Sequence, residues 1–149
     1  MLIKTHIAIV ALFVILFAPL VSNPVLFCGV ALFAAALPDI DSRFSSIGKP
    51  KINRILQFFS RHMGIFHSLT FCVGVALLFS FFIPQLAFAF FLGYSLHIFA
   101  DAFTKEGVPV FWPSKKHAKG FLVTGGIFEK GIFIGFIVVD FVMIWVWIL

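Results

Sequence analysis

The stretch GYSLHIFADAFTK, residues 93–105, sets a histidine and an aspartate four positions apart where an apolar run ends. On a helix, side chains at i and i+4 share one face, so His97 and Asp101 are spaced to grip one object. Six more groups of the same chemistry stand at the ends of other apolar runs: His6, Asp39 and Asp41 in LPDIDS, His62 and His67 in HMGIFHS, and Glu129. Taken singly, each reads as readily as a helix cap or an interfacial polar residue. His62 and His67 would also stand about 140° apart on an ideal helix, unless Gly64 breaks it. Taken together they point elsewhere. Carboxylates crowded into a partly desolvated place repel and take up protons unless a cation neutralises them. Imidazole with carboxylate suits zinc, manganese or iron, whereas calcium and magnesium favour nearly all-oxygen shells. The set exceeds what one tetrahedral ion needs. Two ions roughly 3.5 to 4 Å apart, bridged by carboxylate and hydroxide, would account for the excess.

Membrane spans are the elements that must position these groups. The chain is 62% apolar and 11% charged, with Phe at 23 of 149 positions, against roughly 45 to 50% apolar usage in soluble domains. An all-α integral membrane protein is expected, a bundle of about five transmembrane helices over residues 5–21, 24–37, 65–83, 85–103 and 131–149. The first run is too long, and too poor in a small-residue cleavage site, to be only a signal peptide. All 11 Lys and Arg fall before span one or within the loops 38–64 and 104–130. The positive-inside bias makes that face cytoplasmic, with the N-terminus in and the C-terminus out, and puts the polar site at the cytoplasmic helix ends. Net charge +5 then reflects topology and contact with anionic lipids, not a nucleic-acid partner. Cys28 and Cys72 lie within spans, with no zinc or redox spacing, and read as small packing residues. Residues 42–59 mix apolar and basic positions as a short helix on the membrane surface would, a solvated loop being the alternative.

The segments THIAI, LPDIDS, HMGIFHS, GYSLHIFADAFTKEGVPVFWP and TGGIFEKG occur in an order and spacing that resembles the YdjM-type family, LexA-regulated inner-membrane proteins described as membrane-bound metal-dependent hydrolases. The resemblance covers nearly the whole chain. It implies that Asp39, Asp41, His62, His67, His97 and Asp101 are metal ligands, with His6 and Glu129 as further members. The family's usual Arg after the first His of the third block and Thr before the second are Met63 and Phe66 here. An Arg there would clamp a phosphate oxygen through paired hydrogen bonds, which Met cannot make, so substrate or activity is expected to differ. At fold level the family is also similar to the zinc-dependent phospholipase C and P1 nuclease group.

The expected function is a hydrolase acting on a lipid or lipid-linked phosphate ester at the cytoplasmic leaflet of the inner membrane. The ions would activate water and carry the developing negative charge, with Asp41 or Glu129 accepting the proton. Lys115, Lys116, His117 and Lys119 would draw in an anionic headgroup, although the positive-inside bias already accounts for the lysines. Gly107, Pro109 and Pro113 are suited to turn the chain at the surface, and Trp112 to the aromatic belt. Two alternatives stand beside this. Asp140 follows Glu129 by 11 positions, which returns it to the same helix face within about 20° and roughly 16 Å away. A metal or proton transporter would use both acids, whereas a protonated Asp140 bonded to Ser80 or another polar neighbour, with Gly131 and Gly135 in a close helix contact, is the simpler account. The third reading is a non-catalytic membrane protein whose helix ends are stapled by metal.

Overall fold

The computed structural model describes residues 1–41, 65–114 and 116–149, and of Ile40 and Asp41 the backbone alone. The readings placed on His62, Met63, Lys115, residues 42–59 and the Asp41 side chain lie outside the described residues.

Among the described residues the chain is all-helical: α1 (Ile3–Phe17), α2 (Pro24–Ala36), α3 (Leu69–Phe82), α4 (Pro84–Ala102) and α5 (Ile127–Ile148), with 3-10 turns at Ala18–Leu20, Leu37–Asp41 and Ile65–His67. α1 with its following turn, α4 and α5 are long and apolar enough to cross a membrane. α2 and α3 have 13 and 14 residues. Each rises about 20 Å, against the roughly 30 Å of a hydrocarbon core; α2 falls one residue short of the expected run 24–37 and α3 five short of 65–83. The causes are local. Pro38 brings no N–H to continue the ladder of α2. Ser68 caps α3, its Oγ accepting from Phe71 N at 3.2 Å and donating to Ile65 O at 2.6 Å, which leaves His67 in a turn just ahead of the helix.

α4 is the centre of the bundle, packed by α1, α2 and α3. One buried cluster joins Val10 and Val14 of α1 to Phe27, Ala31 and Ala35 of α2 and Ala89 of α4. A second joins Cys72 of α3 to Phe90, Tyr94 and Ile98 of α4. α2 and α4 come closest at Gly93, where an added Cβ would lie 2.0 Å from the Ala31 carbonyl oxygen. Small residues let helix backbones meet this way. The close contact expected at Gly131 and Gly135 is not found, since a Cβ at either would meet nothing within 4 Å. Both stand on an open flank of α5.

α5 packs on α1, and Lys4 Nζ lies 4.9 Å from the Phe133 ring centre across that contact. Only Glu129 and Asp140 of its residues are buried. The rest of α5 is exposed and overwhelmingly apolar, a surface that suits hydrocarbon as its solvent. The segment after α4 folds back on itself: Lys105 N donates to Leu122 O at 2.8 Å, and Val108 and Ala118 exchange two bonds of 3.0 and 2.9 Å. Gly107 makes the reversal at φ 68°, with the Ala118 carbonyl 2.3 Å from where its Cβ would be, so only glycine fits. Val110 O then accepts from Leu69 N at 2.8 Å, tying this segment to the start of α3.

Gly93→Ala is expected to force α2 and α4 apart at a cost of about 3 kcal/mol, whereas Gly135→Ala, with open space around it, is expected to leave stability unchanged or improved. Unfolding curves of both variants in detergent check this; equal midpoints would show that the α2–α4 approach is not limiting.

Candidate metal centre

Five of the expected groups meet at one end of the bundle: His6 from α1, Asp39 from the turn after α2, His67 from the turn before α3, and His97 and Asp101 from α4. All five are buried. His6, His97 and Asp101 form one group of potential ligands, and Asp39, His67 and His97 another, the ligand atoms within each lying within 4.8 Å of one another. His97 belongs to both. The four-residue spacing of His97 and Asp101 does what helix geometry requires: His97 Nε2 lies 3.3 Å from Asp101 Oδ2. His6 Nε2 approaches the other oxygen, Oδ1, at 3.1 Å. The His6 and His97 rings stack with centres 3.8 Å apart and planes 12° from parallel, and the His67 ring stands edge-on to His97 at 5.7 Å. His67 Nε2 is 4.0 Å from Asp39 Oδ1.

The tautomer of His97 follows from a backbone group. Its Nδ1 lies 2.6 Å from the carbonyl oxygen of Ala35, an acceptor, so Nδ1 carries a hydrogen and donates it, and Nε2 is the nitrogen turned toward Asp101. The carbonyl is free because Ala35 sits in the last turn of α2, where carbonyls lose their helical donors, and Pro38 has no N–H to reach back to it. Nε2 of His97 makes no hydrogen bond among the described residues, and neither do Nδ1 and Nε2 of His6. In the neutral ring the Nε2 lone pair of His97 would face a carboxylate oxygen, a repulsion that a cation between them would relieve. The donor set therefore fits a divalent transition metal: buried imidazole nitrogens with carboxylate oxygens and a carbonyl holding one ring from behind. Asp39 stands beyond the end of α2, where burial raises its carboxyl above the ordinary range against the opposing pull of His97.

Glu129 stands apart from both groups. Its Oε1 accepts from Leu2 N at 2.6 Å and from Thr5 Oγ1 at 2.8 Å, and its Oε2 accepts from Gly125 N at 2.6 Å. α1 has no side-chain cap of its own, and this carboxylate supplies one from another helix while also sitting in the first turn of α5. Two helix N-termini, each with unpaired N–H groups and the positive end of a dipole, thus share one buried anion. Lys116, His117 and Lys119 are exposed on the segment after α4, and none of their side chains enters the five-residue cluster. Asp140 is buried with Oδ1 unpartnered among the described residues. The expected bond to Ser80 is not made, because Ser80 Oγ donates to Leu77 O of its own helix at 2.7 Å.

Three contributors carry no ligand signature in sequence. The Ala35 carbonyl is a backbone atom, and the proline three residues on was its only signal. Tyr94 donates its hydroxyl to the Phe66 carbonyl, bracing the turn that bears His67; its place three residues before His97 marked only the same face of α4. Phe66, at a family-variant position, packs its ring edge-on to Phe71 at 5.1 Å. The Met1 amino group also contacts Asp101 Oδ1.

A family model described as YdjM inner membrane protein matches residues 1–149, the whole chain. Comparison with the curated proteins and with the solved structures gives no match, and the likeness to the phospholipase C and P1 nuclease group stays a sequence expectation.

Glu129→Ala is expected to cost about 3 kcal/mol, because it strands the donors of two helix starts, and Thr5→Ala about 1 kcal/mol. The double variant should cost less than their sum, since both delete the same bond. A double-mutant cycle on detergent unfolding checks this; strict additivity would mean that the Thr5 bond contributes nothing.

Proposed function

The chain belongs to the YdjM inner membrane protein family, and from that premise we propose that it is a membrane-embedded metal-dependent hydrolase acting on a lipid or lipid-linked phosphate ester. The observation that carries the reading is the His97 tautomer. With Nδ1 committed to Ala35 and Nε2 turned on Asp101 at 3.3 Å, a cation would be held by ring and carboxylate in competition with the Met1 amino group at Oδ1. His6, Asp39, His67, His97 and Asp101 would hold it, with zinc the best match and manganese or iron the alternatives.

His97 has a single lone pair left and serves one ion. Asp101 turns Oδ1 toward His6 and Oδ2 toward His97, so this carboxylate would hold metal together with both rings. When bound, such ions lower the pKa of coordinated water and carry negative charge developing on a phosphoryl group. The chain's own residues do the rest. Ala35 and Glu129 fix the helix ends, the apolar clusters keep water out, and Asp41 becomes the proton acceptor, because Glu129 already accepts three hydrogen bonds.

Five antiparallel passes, with the N-terminus and the basic loops on the cytoplasmic side, complete the proposal. The helix directions support it: the start of α1, the end of α2, the start of α3, the end of α4 and the start of α5 lie at the site end. α2 and α3 then cross with the help of their flanking turns or a locally thinned bilayer. The substrate ester would lie at headgroup depth, in reach of anionic lipid.

Elemental analysis of the purified full chain is expected to find transition metal, lost in His97→Ala and Asp101→Ala. Hydrolysis of a long-chain lipid phosphate in mixed micelles should fall to background in Asp101→Ala. Full activity in that variant, or no metal after reconstitution with zinc, manganese and iron, would overturn the reading. The transport alternative predicts instead that Asp140→Asn abolishes metal or proton flux into liposomes while hydrolysis is untouched.

A further inference from the structure

α5 leans on α1 and does not close against α4, and the gap between the three helices is a cavity of about 430 Å³. Each wall is an apolar stripe at helical spacing. Leu96, Ala100 and Phe103 line it from α4, and Phe128, Ile132 and Phe136 from α5, with Ile9 and Phe13 opposite on α1. The α4 stripe is interleaved with the site, since Leu96 precedes His97 and Ala100 precedes Asp101. From Phe128 to Phe136 the groove runs about 12 Å along the helix axis, starting at the level of Glu129 and descending into the apolar zone. Phe128 and Phe99, exposed to 78% and 62%, mark its open side.

Three kinds of occupant come into question. Water is excluded by the lining, because a cavity with no polar groups stays dry. A helix of a second copy, about 10 Å across, is the second, and its presence would keep a lipid label off Leu96. A single hydrocarbon chain fits the volume, the length, the lining and the lateral opening toward lipid. We infer that this groove binds one acyl or prenyl chain of a membrane lipid and thereby holds that lipid's headgroup ester against the His97–Asp101 site. The second half of this statement rests on the hydrolase reading; the first does not.

Cross-linking from the chain side tests it. The full-length protein is reconstituted in vesicles of phosphatidylethanolamine and phosphatidylglycerol, with a trace of phosphatidylglycerol bearing a diazirine midway along one acyl chain. After photolysis, label on Leu96 and Phe13 should exceed several-fold that on Ile134, which is exposed on the outer face of α5 at the depth of Ile132. Ile132→Trp and, separately, Ile9→Trp fill the groove from opposite walls. Each should cut labelling of Leu96 several-fold, with Ile134 labelling and bound metal unchanged. Equal labelling of Leu96 and Ile134 in the wild type, or labelling of Leu96 that survives both substitutions, would overturn the groove. Metal absent with groove labelling intact would sink the hydrolase reading instead, so the two failures are distinct.

Discussion

The close approach of α2 and α4 is the constraint from which the rest follows. Gly93 accepts the backbone of Ala31, and one turn further along the same two helices His97 reaches the carbonyl of Ala35 at 2.6 Å. Both contacts advance by four residues, so the helices run parallel and in register. A side chain at position 93 would separate them and take the carbonyl out of reach. His97 would then lose the partner that fixes its tautomer, and the pairing of its Nε2 with Asp101 would no longer be set. Packing and chemistry at this site are therefore one problem.

A second buried anion plays the opposite role. Asp101 faces His6, His97 and the Met1 amino group, whereas Glu129 is answered by N–H and O–H donors from α1 and the start of α5. Both acids stand at the same end of the bundle. Their difference is set by what surrounds them: imidazole rings and an amino group in one case, helix N-terminal donors in the other. Glu129 steadies the start of α1 and so positions His6, which lies one turn into that helix. It serves the site without belonging to it.

The groove beside α4 gives the remaining geometry a direction. α2 and α3 pack α4 on one side with small residues and aromatic rings, while α1 and α5 leave the other side open to lipid. The polar groups of the site face one flank of α4 and the apolar stripe of the groove faces another. Asp140, buried lower on α5, is not tied into any of this by a hydrogen bond among the described residues.

Much of this was written in the residues before any coordinates. The apolar excess fixed the class, the i, i+4 spacing fixed the facing of His97 and Asp101, and the ends of the apolar runs marked which groups would lie at one level. These are properties within an element, where backbone geometry alone sets distances. The start of α3 was less legible, because a serine cap shortened a run that composition alone would extend. Glu129 could not be separated from the ligands by sequence, since a carboxylate at a helix start looks the same whether it holds a metal or caps a neighbouring helix. Nor could Gly93 be chosen over Gly131 and Gly135 as the close contact. Those distinctions depend on which helices touch, and that is decided by packing between segments far apart in the chain. The Ala35 carbonyl is the clearest case: a backbone atom that any residue supplies, made functional only because another helix comes within 2.6 Å of it.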